Sequence, residues 1–393
     1  MTSQALNRKL RVLHVIDTIG VGGGAESNFA AVVPLMQQFS QRVVHFRPED
    51  GYAPGLRASG VEVVRLPLDG PLDYPRMLRT LRRFIDEADV VHTQTLMSDL
   101  WGRLLATTKR PVVTTVQIPA YESQIIAKYS TPGKVKNLGL WAADALLSRR
   151  AKHMVCVSGY VRQTVIDNLR VAPEHASVIY NAVAVEHLCP LAGADRARVR
   201  SEIGLPEDAF LIVSVGKLSW IKGQEVLLEA MPEILRAVPR AILVLVGTGE
   251  RKGTLEARAA ALGISDKVRF LGLRTDVARV LSVCDLFALA SRTEGLSLAV
   301  AEAMATSLPV VLSDIPPHLE MQDRVKEFNP AAAASMIAPR SEAAFAQRVV
   351  RLATDQPLLR ELGTNCRRAA EKYFNAAGAA ASLAQVLTNA ARS

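Results

Sequence analysis

The residues that could do chemistry gather in two short stretches of this chain. In Gly216-Lys217-Leu218-Ser219-Trp220-Ile221-Lys222-Gly223, two lysines flank a loop that follows the apolar run Phe210 to Val215. Ammonium groups at the carboxyl end of a strand suit a diphosphate, because each is a compact cation where leaving-group charge would build up. In the stretch Ser291 to Met304, Gly295 permits a turn, Ser297 can cap a helix whose first N–H groups face a phosphate, and Glu294 projects from the loop before it. Glu302 follows eight residues later, about two helical turns on, so both carboxylates can border one crevice and accept paired hydrogen bonds from sugar or ribose hydroxyls. A third, weaker stretch is Gly20-Val21-Gly22-Gly23-Gly24-Ala25-Glu26, where glycines allow close approach to an anion at a helix start. Read as G-x-G-x-x-A it fits a dinucleotide fingerprint, and a tight turn with no ligand fits it as well.

The elements that must carry these residues alternate in the βα manner. Strand signals fall at 11–16, 42–46, 61–66, 90–93, 112–116, 153–157 and 177–180 in the first half, with a helix over 25–39 after the first strand. In the second half they fall at 210–215, 241–246, 268–271, 286–289 and 310–312. Most are Val-rich on both faces, as strands covered by helices on each side should be. The pattern pauses over 181–191, which divides the chain into two Rossmann-like α/β domains, 1–185 and 190–375, each a doubly wound parallel sheet. The Ala-rich stretch near 376–393 reads as a final helix that could complete the first domain or pack on the second.

Composition narrows the class. With 393 residues, 49% hydrophobic and 22% charged, the chain is long enough for two cored domains and too ordered in composition for extended disorder. Its longest apolar run, Ala241 to Val246, is far too short to cross a bilayer, and the first residues lack a secretory pattern, so a cytoplasmic location is expected. Cys156, Cys189, Cys284 and Cys366 form no CxxC pair and read as buried free thiols. The net charge of +9 is uneven, with 22 basic against 15 acidic residues in 1–183 and 25 against 23 beyond. A basic first half attracts polyanions, among them anionic lipid. Arg76, Arg79 and Arg83 form one helical stripe with Leu78, Leu81 and Ile85 on another, and Lys128, Lys134, Lys136, Arg149, Arg150 and Lys152 form a second basic stretch. Each suits a membrane surface or an ordinary solvated face.

Taken together, GGGAE, GKLSWIKG and EGLSLAVAE resemble the group 1, or family 4, retaining glycosyltransferases of the GT-B fold, most specifically over 212–314. The resemblance implies two domains facing across a cleft, the first binding an acceptor glycan or lipid-linked sugar and the second a nucleoside-diphosphate sugar, without metal or cofactor. It implies that Glu294 touches the donor sugar, that Glu302 holds the ribose, and that Lys217 and Lys222 grip the diphosphate together with Gly216 and the Gly295-Leu296-Ser297-Leu298 helix start. Gly23 and Gly24 would approach the donor phosphate or acceptor, and Phe270 and Leu271 would line the base pocket. His92 matches a family position, although a structural hydrogen bond explains it equally well. Two departures stand out: Gln117 takes the place of a His near the reacting carbon, and Pro316-Pro317 precede Glu320 where relatives carry two glycines. These departures keep open a weakly catalytic sugar-nucleotide-binding protein. The glycine turn alone keeps open an NAD(P)-dependent oxidoreductase.

Overall fold

The computed structural model describes residues 8–106, 109–119, 121–122 and 131–392, with residues 71 and 131–137 described by backbone alone. Two compact units result: 1–181 with 376–393, and 182–375.

In unit 1 the strands are β1 (Arg11–Ile16), β2 (Ser40–His45), β3 (Glu62–Arg65), β4 (Val90–Gln94), β5 (Val112–Val116), β6 (Ala151–Cys156) and β7 (Ala176–Val178). They form one sheet in the order β3-β2-β1-β4-β5-β6-β7, with every pairing parallel. The strand order reverses between β1 and β4, and an α/β sheet offers its ligand crevice at the carboxyl ends beside such a reversal. The helix Tyr74–Glu87 turns Met77, Leu81, Phe84 and Ile85 onto β1, β2 and β4, leaving Arg76, Arg79, Arg82 and Arg83 exposed. Each of those buried side chains contributes about 1.5–3 kcal/mol. The helix expected over 25–39 stops at Val32 and gives way to a 3-10 turn, Val33–Leu35, because Pro34 removes the N–H that the next turn needs.

Unit 2 carries β8 (Phe210–Val215), β9 (Ala241–Val246), β10 (Val268–Gly272), β11 (Leu286–Leu289), β12 (Val310–Ser313) and β13 (Ile337–Ala338) in the parallel order β10-β9-β8-β11-β12-β13. The reversal here lies between β8 and β11, the two strands whose following loops hold the lysines and Glu294. Strand β13 has two residues and no apolar run of its own, so the sequence pattern does not reveal it.

The final helix, Ala376–Arg392, belongs to unit 1, packing Ala380, Leu383, Ala384 and Leu387 against the Gly24–Val32 helix and β4, β5 and β6. Of the cysteines, Cys156, Cys284 and Cys366 are buried free thiols, whereas Cys189 is exposed, which corrects the expectation for that residue.

Candidate functional site

In unit 2 the loops at the carboxyl ends of β8, β9 and β11 are sewn to one another by backbone. Leu218 N–H donates to Thr248 O at 2.9 Å, Arg251 N–H to Leu218 O at 3.1 Å, and Arg292 N–H to Ile221 O at 2.7 Å. Two glycines make these approaches possible. Gly223 sits at φ +64°, and a Cβ there would collide with Ala290 O; Gly247, at φ +134°, passes over Gly216 O with no room for a side chain. Arg292 latches the turn Trp220–Lys222 from outside, donating from Nε to Trp220 O (3.0 Å) and from Nη2 to Glu225 Oε1 (2.7 Å), with its guanidinium over the Trp220 ring.

This latch brings Lys222 onto Glu294. Lys222 Nζ donates to Glu294 Oε1 at 2.6 Å and Ser291 Oγ donates to the same oxygen at 2.6 Å. Burial alone would push the Glu294 carboxyl up; the charge of Lys222 and the hydrogen bonds from Lys222 and Ser291 overcome it and hold the pKa below the ordinary value. Lys222 spends one of its three donors on Glu294, so two remain for a ligand. Its stem lies over Gly216, with Cε 3.4 Å from where a Cβ would stand. Lys217 is different: its side chain is 69% exposed and meets only Glu250, at 3.5 Å.

Glu302 lies on the helix Leu298–Ala305, where burial alone pushes its pKa up to about 7. Gly295, Leu296, Ser297 and Leu298 are all buried at the start of that helix. Ser297 occupies the N-cap position, but its hydroxyl makes no capping bond, contrary to expectation, and Gly295 adopts no positive φ. Phe270 and Leu271 are half-buried on the edge strand β10, beside a register shift between Phe270 and Gly272. Glu320 is half-buried on the helix Pro316–Lys326. Two residues along a helix turn a side chain by about 200°, so Glu320 and His318 face opposite ways. His318 is the one that feels the charges of Glu294 and Lys222. Sequence reading passed over His318 as well as Arg292, Ser291 and Ser313; a polar residue between Pro-Pro and an apolar neighbour was the only signal for His318.

In unit 1, Gly23 is the N-cap of the helix Gly24–Val32, and Gly22 before it has φ +106°. The Glu26 carboxylate folds back over Gly23, where an added Cβ would collide with it, so this helix start already holds an anion of its own. Burial pushes the Glu26 pKa up, a backbone hydrogen bond at Glu26 opposes this, and the charge of Asp17 adds to the rise. His92 is buried, and its hydrogen bonds follow from a chain of forced choices. Gln41 Nε2 donates to Met36 O, which leaves Gln41 Oε1 to accept from His14 Nε2 at 3.1 Å. His14 Nδ1 is then bare and accepts from His92 Nδ1 at 2.9 Å, and His92 Nε2 accepts from Thr115 Oγ1 at 2.8 Å. Burial holds both imidazoles neutral, His14 at about 4 and His92 well below its ordinary value. Both ring nitrogens of His92 are therefore committed inside the core. Gln117, just past β5, differs: its Nε2 is buried and has no hydrogen-bond partner among the described residues. Lys128 lies outside the described residues, as do the side chains of Lys134 and Lys136. No group of three or more His, Cys, Asp or Glu that could hold a metal ion occurs among the described residues.

Residues 195–372 match the family described as Glycosyl transferases group 1, and residues 22–187 match Glycosyltransferase Family 4. The chain is 27% identical to the UDP-Gal:alpha-D-GlcNAc-diphosphoundecaprenol alpha-1,3-galactosyltransferase of Escherichia coli, over 74% of this chain and 72% of the relative. It is 28% identical to the GDP-mannose-dependent alpha-(1-6)-phosphatidylinositol monomannoside mannosyltransferase of Mycolicibacterium smegmatis, over 74% and 76%. Among solved structures, Anabaena Alr3699/HepE in complex with UDP-glucose superposes with a TM-score of 0.81 at 20% identity, covering 96% of this chain and 99% of that one. One family description thus fits each half of the chain, and two parallel α/β sheets share the architecture of that neighbour: the chain belongs to the group 1 and family 4 glycosyltransferases and has the GT-B fold.

Proposed function

We propose that this glycosyltransferase moves a sugar from a nucleoside diphosphate to an acceptor hydroxyl with retention of the anomeric configuration. The observation that carries the reading is the Lys222–Glu294 pair, half-buried at the carboxyl edge beside the strand reversal of unit 2. Glu294 there holds one free oxygen toward a sugar hydroxyl, and Lys222 keeps two donors for phosphate oxygens. Lys217, exposed and weakly paired, swings to the same diphosphate, while the 295–298 helix start supplies N–H groups. Glu302 takes the ribose hydroxyls, and Phe270 and Leu271 flank the base. Of the unit 1 residues, Gln117 has a buried Nε2–H without a partner among the described residues to offer a sugar hydroxyl, whereas the Glu26 carboxylate already covers Gly23.

In the transfer, the bond from the anomeric carbon to the diphosphate oxygen breaks as the acceptor oxygen bonds to the same face. The acceptor proton passes to the departing diphosphate, so no enzymic nucleophile is needed. The protein supplies position and positive charge.

A lipid-linked or glycan acceptor, in glycolipid, lipopolysaccharide or polysaccharide synthesis on the inner face of a membrane, accords with the names of both relatives quoted above. It also accords with the exposed Leu138, Trp141 and Leu146 on the helix Thr131–Ser148, followed by exposed Arg149 and Arg150. On the Tyr74–Glu87 helix, Arg82 and Arg83 are partly neutralised by Asp86 and Glu87.

Thermal-shift measurements with uridine, guanosine and adenosine diphosphates, set beside NAD and NADP, test the donor class. Labelled sugar nucleotides with membrane extract then test transfer, and the anomeric coupling of the product tests retention. Stabilisation by NAD alone would overturn the proposal, and binding without turnover would leave a sugar-nucleotide-binding protein. Neutralising Arg79, Arg82 and Arg83 should release the protein from phosphatidylglycerol vesicles; unchanged sedimentation removes the membrane part.

A further inference from the structure

His318 is fully buried at the start of the helix Pro316–Lys326, and its surroundings fix which nitrogen carries the proton. Ser313 Oγ donates its single hydrogen to Ser291 O at 2.6 Å, so toward the imidazole it can only accept. The Ser313 carbonyl, 3.0 Å from Nδ1, is also an acceptor. Nδ1 therefore holds the hydrogen, and in the neutral ring Nε2 is a bare lone pair. That Nε2 is buried and has no partner among the described residues. Thr293 Oγ1, next to Glu294 in sequence, is a second buried polar atom without a partner among the described residues. A buried acceptor left unsatisfied is costly, and a ligand donor would recover that cost.

The backbone of the same segment offers nothing in its place. Pro316 and Pro317 have no N–H, and the N–H groups of His318 and Leu319 both go to Ile315 O at 3.0 Å. Any hydrogen bond from this helix start to a ligand at the Glu294–Lys222 pair must come from a side chain.

Resting on the donor-site reading above, we infer that His318 Nε2 is a specificity-determining acceptor for one hydroxyl of the donor sugar. The ring stays neutral because burial lowers its pKa to about 4, so it accepts and does not donate. Sugars are therefore selected for a hydroxyl that can give its hydrogen at this position.

The test uses the full-length protein and UDP- and GDP-linked glucose, galactose and mannose, together with the 3-, 4- and 6-deoxyfluoro forms of whichever binds wild type best. Fluorine accepts weakly and donates nothing. Wild type should lose about tenfold to a hundredfold in affinity for one of these analogues. His318→Phe should bind the parent sugar nucleotide that much more weakly, no longer distinguish the analogue, and bind the free nucleoside diphosphate as wild type does. His318→Gln, which can present a carbonyl oxygen, should recover part of the discrimination. If His318→Phe folds poorly, nitrogen NMR of wild type gives an independent readout. The unprotonated His318 Nε2 resonance should move on adding the sugar nucleotide and not on adding the diphosphate alone. Equal discrimination by His318→Phe, or a resonance unmoved by the sugar, overturns the inference while leaving the donor site standing. If no sugar nucleotide binds wild type, the donor reading falls and this inference with it.

Discussion

The polar groups set about the two sheets are used in different ways. In unit 1, His14, His92, Thr115 and Gln41 close on one another in a single run of hydrogen bonds, and Arg103, 1% exposed, lies between Asp99 and Asp144. In unit 2, among the described residues, half-buried Glu302 has no ion-pair partner, His318 Nε2 and Thr293 Oγ1 lack hydrogen-bond partners, and exposed Lys217 meets Glu250. Satisfied polar networks rigidify a scaffold, whereas buried groups left wanting a partner mark where a ligand is meant to enter. Unit 1 is not wholly satisfied either: Asp99 Oδ1, Trp101 Nε1 and Gln117 Nε2 are buried without hydrogen-bond partners among the described residues.

The largest effect should come from breaking the Lys222–Glu294 pair of unit 2. Glu294→Ala is expected to lower transfer by about a thousandfold and stability by about 3 kcal/mol, since Lys222 is left partly buried and uncompensated. Label transfer and chemical denaturation measure the two; wild-type activity in the variant would remove Glu294 from the site.

Glu302→Gln should split function from stability. Because the folded pKa is raised from the usual 4.5 to about 7, the native state binds extra protons between those values, and the wild type loses stability as pH rises through that window. Above pH 7 the Gln variant should be the more stable, by on the order of 3 kcal/mol, yet bind the nucleotide about tenfold or more weakly. In wild type, nucleotide affinity should rise as pH climbs through 7. A flat pH profile by calorimetry would separate Glu302 from the ribose.

His92→Leu probes the closed edge. It should cost about 1–3 kcal/mol by stranding His14 Nδ1, with turnover per folded molecule unchanged. His14 and His92 have depressed folded pKa values, so their stabilising contribution is full above about 6.5 and is lost as pH falls toward 4. A fall in kcat with stability intact would instead place His92 against substrate. The mildest change is Gln117→Ala, expected to lower kcat about tenfold without loss of thermal stability, because its buried Nε2 has no hydrogen-bond partner among the described residues.

Much of this was legible because the parallel strands are continuous Val, Ile and Leu runs, and because Lys217, Lys222 and Glu294 lie in the loops that follow strands, with Glu302 on the helix just after one of them. What the sequence hid depended on distant partners. Nothing local tells that Glu26 folds back over Gly23, that Ser297 leaves its cap unmade, or that Ser313 orients His318. His92 looked like a site residue because strand ends attract ligands, and only the tautomer chain from Gln41 commits both its nitrogens. The placement of the last helix was ambiguous because an alanine-rich apolar stripe fits any apolar face of its width.

That last helix has a consequence for biogenesis. Unit 2 is one uninterrupted length of chain, but the groove over β4, β5 and β6 is filled by residues made after all of unit 2 has been synthesised. Unit 1 must wait, its apolar flank bare, until translation has passed through unit 2. A stop codon just before Ala376 would spare every proposed donor contact and still yield an aggregation-prone protein.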